Sequence, residues 1–283
     1  DEGAFATDGI QQSIVDVIGN TAQATATSNR SVNSLALSAN SSNASAGVLN
    51  QQASAADVTA SAGTIAGTDV TGFADVSPIN GSAATVANNA TLARAGGNTT
   101  TNSLSAAATT FANVSGGAVT ALNGAGSDAI TASFAVLNEQ TNSGAINAGV
   151  SVTYGTTFDA VGAAPSVMNS SSMVNGNSAA TVAYGNAATN QVTFAALNSP
   201  AAAPGRTSAG IASNQLNTGD VGASTVALVG TTASGVGVAA GGAVSMSSVS
   251  VNGNALSASA FGNSSSNTLT ISGNNVNVAP LIP

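Results

Sequence analysis

Small apolar and polar residues alternate along most of the chain, and this pattern predicts β-strands. Alanine recurs at every second position in 22–26, and apolar residues do so again in 256–260 and 267–271. A period of two places successive side chains on opposite faces of a strand, whereas a helix needs a period of 3.6. Only 10–18 has helical spacing, and its β-branched residues are equally compatible with a strand. We therefore expect an all-β fold.

A block of 17 residues occurs four times without gaps, at 20–36, 89–105, 177–193 and 254–270. Each copy has asparagine at three fixed places, alanine at one and an aliphatic residue near its end. Repetition of this kind indicates stacked structural units. The aligned residues are Asn20, Asn89, Asn177 and Asn254, then Ala26, Ala95, Ala183 and Ala260, then Asn29, Asn98, Asn186 and Asn263, then Asn33, Asn102, Asn190 and Asn267, and finally Leu35, Leu104, Val192 and Leu269.

A second motif lies between the blocks and has nearly the same spacing. Asn50-Gln51-Gln52 matches Asn138-Glu139-Gln140, and a looser third copy surrounds Asn214-Gln215. Asn50 and Asn138 are 88 residues apart and Asn138 and Asn214 are 76 apart, close to the 88 and 77 residues between successive blocks. Two motifs with one spacing indicate three imperfect repeat units.

The predicted organisation follows from this spacing. Unit 2 is the longest, and its excess, about 107–127, is predicted to be an insertion on a loop or an added hairpin. The predicted parts are an N-terminal docking or capping segment (1–19), repeat units 20–97, 98–185 and 186–262, and a closing block with a C-terminal docking strand (263–283).

Turns are predicted at two kinds of place. Asn175-Gly176 and Asn252-Gly253 predict tight turns before the third and fourth blocks. Inside each block, a Gly-Asn or Ser-Asn pair is predicted to form a turn between two strands, because glycine and asparagine tolerate a positive φ.

The small inward-facing residues favour a closely packed, stacked architecture. A β-sandwich leaves about 10 Å between its sheets, which alanine cannot fill. Stacked strands lie about 4.8 Å apart, so asparagines at matched positions can form hydrogen-bonded ladders. We predict such a ladder through Asn33, Asn102, Asn190 and Asn267, the alternative being that each asparagine closes its own local turn. The prediction is a β-solenoid-like stack or closely packed sheets, and the alternative is β-sandwich domains in a fibre linked by donated strands.

Composition and charge exclude most chemistry. The 283 residues include three arginines but no lysine, histidine, cysteine or tryptophan, and the net charge is −8. The chain therefore lacks an imidazole base, a thiolate and a lysine nucleophile, and it has too few cations to bind nucleic acid. Asp57, Asp69 and Asp75 share one segment, and we interpret them as solvated loop acids rather than a calcium site. We expect no catalysis, no cofactor, no metal and no nucleic-acid partner.

Both ends of the chain are predicted to make contacts between copies. The chain begins with Asp1-Glu2 and has no apolar run of the roughly 18 residues that a membrane helix needs, so we expect secretion after signal-peptide removal. Lysine commonly protects exposed sheet edges, and its absence favours self-association by strand addition. The residues assigned to these contacts are Ile10, Ile14, Val17, Ile18, Val276, Val278, Leu281 and Ile282.

The chain resembles secreted bacterial fibre subunits that carry imperfect repeats. The resemblance lies in the Asn/Gly/Ala-rich repeats with Asn50-Gln51-Gln52 and Asn138-Glu139-Gln140. One such type is the functional amyloids of pseudomonads, although this chain lacks their Cys-x-x-Cys ending and its units are uneven. Holdfast-anchor proteins and β-repeat surface adhesins are similar, and 183–192 also resembles head repeats of trimeric autotransporter adhesins. The resemblance implies polymerisation, biofilm formation or surface attachment, and no catalysis.

The leading hypothesis is a structural subunit of an extracellular bacterial filament that assembles head to tail. Its main partner is then itself, with surface glycans or an outer-membrane anchor as further partners. The alternative is a non-polymeric cell-surface adhesin that binds a glycan or a surface through its loops. A polysaccharide-active enzyme is a weaker third hypothesis, because only seven phenylalanines and two tyrosines are available to contact sugar rings.

Overall fold

The described part of the chain folds almost entirely into β-strands. The computed structural model describes residues 2–6, 10–42, 45–73, 79–111, 117–123, 126–162, 166–196, 208–237 and 243–273. These residues contain no helix, so the predicted all-β fold is confirmed. For the same reason, this part of the chain offers no helix that is long and apolar enough to cross a membrane.

The strands follow one another around three complete coils and the first part of a fourth, and each coil repeats the strand order of the one before as far as it is described. The first coil contains β2 (Ile10–Gln11), β3 (Ile14–Ile18), β4 (Thr21–Ser42), β5 (Ala46–Ser54) and β6 (Val58–Phe73), preceded by β1 (Glu2–Ala6). The second contains β7 (Ile79–Asn80), β8 (Ala83–Ala87), β9 (Ala90–Phe111), β10 (Gly117–Asn123), β11 (Gly126–Ala132), β12 (Phe134–Asn142) and β13 (Ile146–Gly162). The third contains β14 (Ser166–Met168), β15 (Ser171–Asn175), β16 (Ser178–Ala196), β17 (Ala209–Asn217) and β18 (Val221–Gly237), and the fourth β19 (Ala243–Ser245), β20 (Ser248–Asn252) and β21 (Ala255–Gly273).

Equivalent strands of neighbouring coils pair in parallel and in register. β4 pairs with β9, β9 with β16, and β16 with β21, so that the four copies of the repeated block lie directly above one another. Four strands at this spacing span only about 14 Å along the stacking direction. One repeat unit therefore forms one complete coil, and the architecture is a β-solenoid-like stack rather than a series of sandwich domains.

The columns of stacked strands are not equally tall. The column of β4 contains four strands, whereas the column of β5 contains three, in the order β17-β12-β5. β1 adds a fourth strand to the column of β6, but it pairs only with Thr68–Gly72. Each end of the described stack is therefore stepped, and at the end of the fourth coil the step lies over β17 and β18.

Two corners of every coil use a left-handed backbone. One of them, the corner between β3 and β4 and between the equivalent strands of the other coils, contains Gly19, Gly176 and Gly253 at φ of 64–74° and Asn88 at 55°. A positive φ costs glycine and asparagine less than other residues, which explains why Asn-Gly pairs occur at this corner. The turns expected at 175–176 and 252–253 therefore exist, but they join strands of one coil rather than the two strands of a hairpin.

The turn expected inside each block is a bend within a continuous strand. β4 runs through Ser28-Asn29, and the equivalent strands run through Gly97-Asn98 and Gly185-Asn186. At this place the inward-facing set changes from the even residues 22–26 to the odd residues 29–37 of β4. A change of face without a break in pairing marks a corner, so the local-turn interpretation of these asparagines is wrong.

Three apolar clusters fill the interior around the polar region. The largest packs the alanine-rich start of the long blocks against β6 and β13, with Tyr154, Val152 and Ala95 fully buried. A second joins the end of the blocks to β5 and β12, where the Phe134 and Phe194 rings lie 5.5 Å apart. A third surrounds Ile10 and the end of β6. Segment 10–18, which the sequence left open between helix and strand, forms β2 and β3.

The second coil carries an additional antiparallel hairpin, β10 and β11, where unit 2 exceeds the other units in length. The hairpin contacts the sheet of β5, β12 and β17 from outside. Outward-facing Leu137 on β12 is consequently fully buried, while the equivalent Leu49 on β5 is 46% exposed.

Candidate functional site: the asparagine ladders and the two open ends

The repeated asparagines form hydrogen-bonded ladders that run through all four coils. Asn33 Nδ2 donates to Asn102 Oδ1, Asn102 to Asn190, and Asn190 to Asn267, each at 2.8 Å. Asn102 and Asn190 are fully buried, and Asn102 also accepts from the Thr100 hydroxyl at 3.2 Å and donates to Asn138 Oδ1 at 3.4 Å. The predicted ladder is therefore confirmed, since in-register stacking places the amides one strand spacing apart.

The other two asparagine columns are ladders as well, and each also binds the backbone of a different strand. Asn29, Asn98, Asn186 and Asn263 are linked at 2.7–2.8 Å. Within this column Asn98 Nδ2 also donates to the carbonyl oxygen of Thr141, and Asn186 Nδ2 to that of Leu216. The ladder of Asn29 thus ties the repeated block to the strands of the second motif, which satisfies buried polar groups in both.

The column that opens the block joins the corner to the next coil. Asn20, Asn89, Asn177 and Asn254 are linked at 2.9–3.0 Å from Nδ2 to Oδ1. In the second, third and fourth coils the Oδ1 also accepts the backbone N–H of the column's asparagine in the coil before, as Asn177 Oδ1 does from Asn89 at 3.0 Å. This double contact fixes the corner of one coil on the corner of the next.

The second motif forms a glutamine ladder that the sequence did not predict. Gln215 Nε2 donates to Gln140 Oε1 and Gln140 Nε2 to Gln52 Oε1, both at 2.7 Å. Asn50 similarly donates to Asn138 at 2.8 Å. Recurrence of Asn-Gln-Gln was the signal that could have revealed these ladders.

The pairing also corrects the alignment of the third motif copy by one residue. Asn138 pairs with Ser213, and Asn214 pairs with Glu139, so the true spacing is 75 residues rather than 76. The sequence comparison matched Asn214 with Asn138, because the short third copy is rich in alanine and serine. In the structure Gln215 is stacked on Gln140, as a side-chain ladder requires.

All three block ladders point in one direction. In each, the Nδ2 of a given coil donates to the Oδ1 of the following coil, and the glutamine ladder runs the opposite way. Among the described residues, no donor reaches Oδ1 of Asn29 or Asn33 in the first coil, and no acceptor is bonded to Nδ2 of Asn267 in the fourth. The first coil therefore presents acceptors at its edge, and the fourth coil presents at least one donor.

The fourth coil exposes side chains that are core residues elsewhere. Leu269 is 41% exposed, whereas Leu104 and Val192 in the same column are fully buried. Val251 is 49% exposed above Val174, which is fully buried. These side chains face inward, so their exposure means that the apolar interior is uncovered at this end of the described stack.

The alanine column shows the same gradient. Ala95 and Ala183 are fully buried in the inner coils, Ala26 is half-buried in the first coil, and Ala260 is exposed in the fourth. Identical residues thus differ in what surrounds them: Ala95 and Ala183 have a coil on both sides, Ala26 has one on a single side, and Ala260 also lacks described strands of the β5 and β6 types within its own coil.

The residues assigned to contacts between copies divide into three groups. Ile14 and Ile18 are exposed on the outer face of the first coil, at 73% and 51%. Ile10 is buried in a core cluster and Val17 is half-buried against the largest one, although both lie on edge strands. Val276, Val278, Leu281 and Ile282 lie outside the described residues.

The acidic residues make structural contacts in the described coils. Asp57 Oδ1 accepts the backbone N–H of Ala145 in the next coil at 2.8 Å, and Asp69 Oδ1 accepts the Thr71 hydroxyl at 2.8 Å. Asp75 lies outside the described residues. Within the described ranges, no three acidic side chains come together in the manner of a metal site.

No protein-family model matches the sequence, and neither a curated protein nor a solved structure matches the chain.

Proposed function

We propose that the protein is a structural subunit of an extracellular bacterial filament, in which copies add end to end along the coil axis. The observation that carries the proposal is the uncovered interior of the fourth coil. Its inward-facing Val251 and Leu269 are exposed, although the equivalent side chains of the inner coils are fully buried. Burial of exposed apolar surface favours association, and a further coil stacked on the fourth would bury this surface.

The edge strands support the same proposal. β21 is 19 residues long and contains no charged residue and no proline, and β18 and β20 contain none either. Natural proteins normally block such edges with lysine, proline or a covering element. A long, uncharged, parallel edge strand is instead suited to pairing with a further strand.

The composition supports an extracellular location and a structural role. Charged residues are only 5% of the chain, and serine, threonine, asparagine and alanine dominate the described strands. A biofilm matrix or surface attachment is the use that we infer for such a material, with surface glycans or an outer-membrane anchor as further partners.

The stepped end supports a role for the C-terminal segment. A copy placed on β21 leaves a gap one strand thick over β17, because that column has one strand fewer. Residues 274–283 follow β21 in the chain, and we propose that they dock in this gap. Deletion of 274–283 is expected to leave the coils folded and to reduce filament formation, whereas unchanged filaments would exclude this role.

Electron microscopy of the purified chain tests the proposal directly. We expect unbranched filaments in negative stain and a fibre-diffraction reflection near 4.8 Å along the filament axis. Discrete particles at all concentrations would contradict the proposal and favour the non-polymeric adhesin.

A matched pair of charge variants asks whether the open end is the assembly surface. Val251→Lys places a charge on the uncovered interior of the fourth coil, and Ser250→Lys places the same charge on the outer face of the same strand. We expect Val251→Lys to abolish filaments, because an unpaired charge cannot be buried between coils. Equal filament formation by both variants would show that copies do not join at this end.

A further inference from the structure

We propose that the fourth coil of one copy accepts the first coil of the next in a single register and a single direction. In this register β4 of the second copy lies on β21, with Asn20 on Asn254, Asn29 on Asn263 and Asn33 on Asn267. The inference rests on the proposed filament, but it adds which surfaces meet and which residues face each other.

Hydrogen-bond polarity sets the direction. Along the block ladders each Nδ2 donates to the following coil, so Asn267 offers a donor at one end and Asn33 an open acceptor at the other. A copy added head to tail continues each ladder from Nδ2 to Oδ1, and no side-chain amide has to exchange its nitrogen and oxygen positions. Two fourth coils facing each other would instead bring donor against donor, and such a symmetric pair would also stop growth.

Column identity sets the register. The strand pairs inside the chain keep all three asparagine columns aligned across spacings of 69, 88 and 77 residues. A shift by one residue would turn every inward side chain of β4 to the outside, and a shift by two would place Asn33 beside a non-asparagine. Only the aligned register puts Leu35 on Leu269 and so closes the exposed apolar column.

Engineered cysteines test the register, since the chain contains no cysteine of its own. Ser34 and Thr268 belong to one outward column, so Ser34→Cys and Thr268→Cys in one chain place the two thiols on adjacent strands. Their Cα atoms are then about 5 Å apart, within reach of a disulfide. The matched control, Ser34→Cys with Thr270→Cys, separates the Cα atoms by about 8 Å, beyond disulfide reach.

On mild oxidation of assembled filaments, we expect the first pair to give a ladder of covalent multimers and the control pair to give monomers. A mixture of the two single variants, Ser34→Cys and Thr268→Cys, is expected to give covalent dimers only. Disulfide dimers from Ser34→Cys alone would show first coil against first coil and would overturn the proposed direction. Efficient cross-linking of the control pair would overturn the register.

A second variant tests the ladder across the junction. In Asn267→Asp the carboxylate still accepts from Asn190 Nδ2, so the coil keeps its internal contact, but the donor toward the next copy is lost. We expect the variant to fold normally, as circular dichroism would show, and its critical concentration for assembly to rise at least tenfold. Thr268→Asp, with the same charge on the outer face, is expected to change that concentration less than threefold.

The outcomes separate the two proposals. Absence of wild-type filaments would refute the filament itself, whatever the cysteine pairs show. Filaments that cross-link in another register, or that form equally well with Asn267→Asp, would leave the filament standing and refute this junction.

Discussion

The inner and terminal coils contain the same residues in the same columns, but they differ in what covers them. Asn102 and Asn190 are fully buried with a coil on each side, while Asn267 in the fourth coil is exposed. Leu104 is fully buried and Leu269 is 41% exposed. Because the sequence is nearly constant along a column, this difference separates the contribution of the surrounding strands from that of residue type.

The substitution of asparagine by aspartate is expected to show the largest difference in stability loss between the inner coils (Asn102→Asp) and the terminal coil (Asn267→Asp). Asn102→Asp removes the donor to Asn190 and buries an uncompensated charge, so we expect a loss of about 3–5 kcal/mol in unfolding free energy. Asn267→Asp is exposed and keeps its acceptor role, so its cost should stay below about 0.5 kcal/mol. Denaturant unfolding of unassembled chains measures both, and similar losses would mean that burial does not govern the ladder.

Leu104→Ala and Leu269→Ala compare the two regions by packing instead of charge. A buried leucine truncated to alanine costs about 2–5 kcal/mol, because a cavity remains between the neighbouring coils. At the half-exposed terminal position we expect about 1 kcal/mol or less. Thermal unfolding under the same conditions gives the comparison, and an equal cost would show that the fourth coil is already covered in solution.

Gly97→Ala tests how closely the coils approach at the bend. A Cβ at Gly97 would clash with the carbonyl oxygen of Gly185 and lie 2.7 Å from Asn142 Oδ1, so we expect a loss of about 1–3 kcal/mol. At the equivalent Gly262 the nearest contact is Asn217 Nδ2 at 3.7 Å, and alanine should be tolerated. A tolerated Gly97→Ala in denaturant titrations would indicate that the inner bend can widen.

Tyr154→Phe should have the smallest effect. The buried Tyr154 hydroxyl donates to the carbonyl oxygen of Ser178 at 3.1 Å and lies 3.1 Å from Thr91 Oγ1. Loss of these contacts should cost about 1 kcal/mol, while Tyr184→Phe, half-buried with a 3.4 Å contact to Thr99, should cost almost nothing. Unfolding midpoints measured side by side decide whether the inner hydroxyl contributes.

The ladder could be predicted from the sequence, but the bend beside it and the glutamine ladder could not. Asn33 and its equivalents were identifiable because in-register stacking makes a column of identical residues visible as spacing. The Ser28-Asn29 and Gly97-Asn98 pairs looked like turns, since local preference cannot distinguish a reversal from a bend within a paired strand. Gln52, Gln140 and Gln215 were recognised as one motif, but their ladder was not predicted because the third copy has diverged around the glutamine.

Alternation by itself determined the all-β fold, and the aligned columns determined which residues stack, because both depend on spacing along the chain. Tertiary structure decided that one unit closes one coil, that the amides of the block ladders point one way, and that no described strand covers the fourth coil. These properties depend on where each coil closes and on which strand lies last in its column. Neither is encoded in the local pattern, since Leu104 and Leu269 occupy the same place in the repeat and differ only in the strands that surround them.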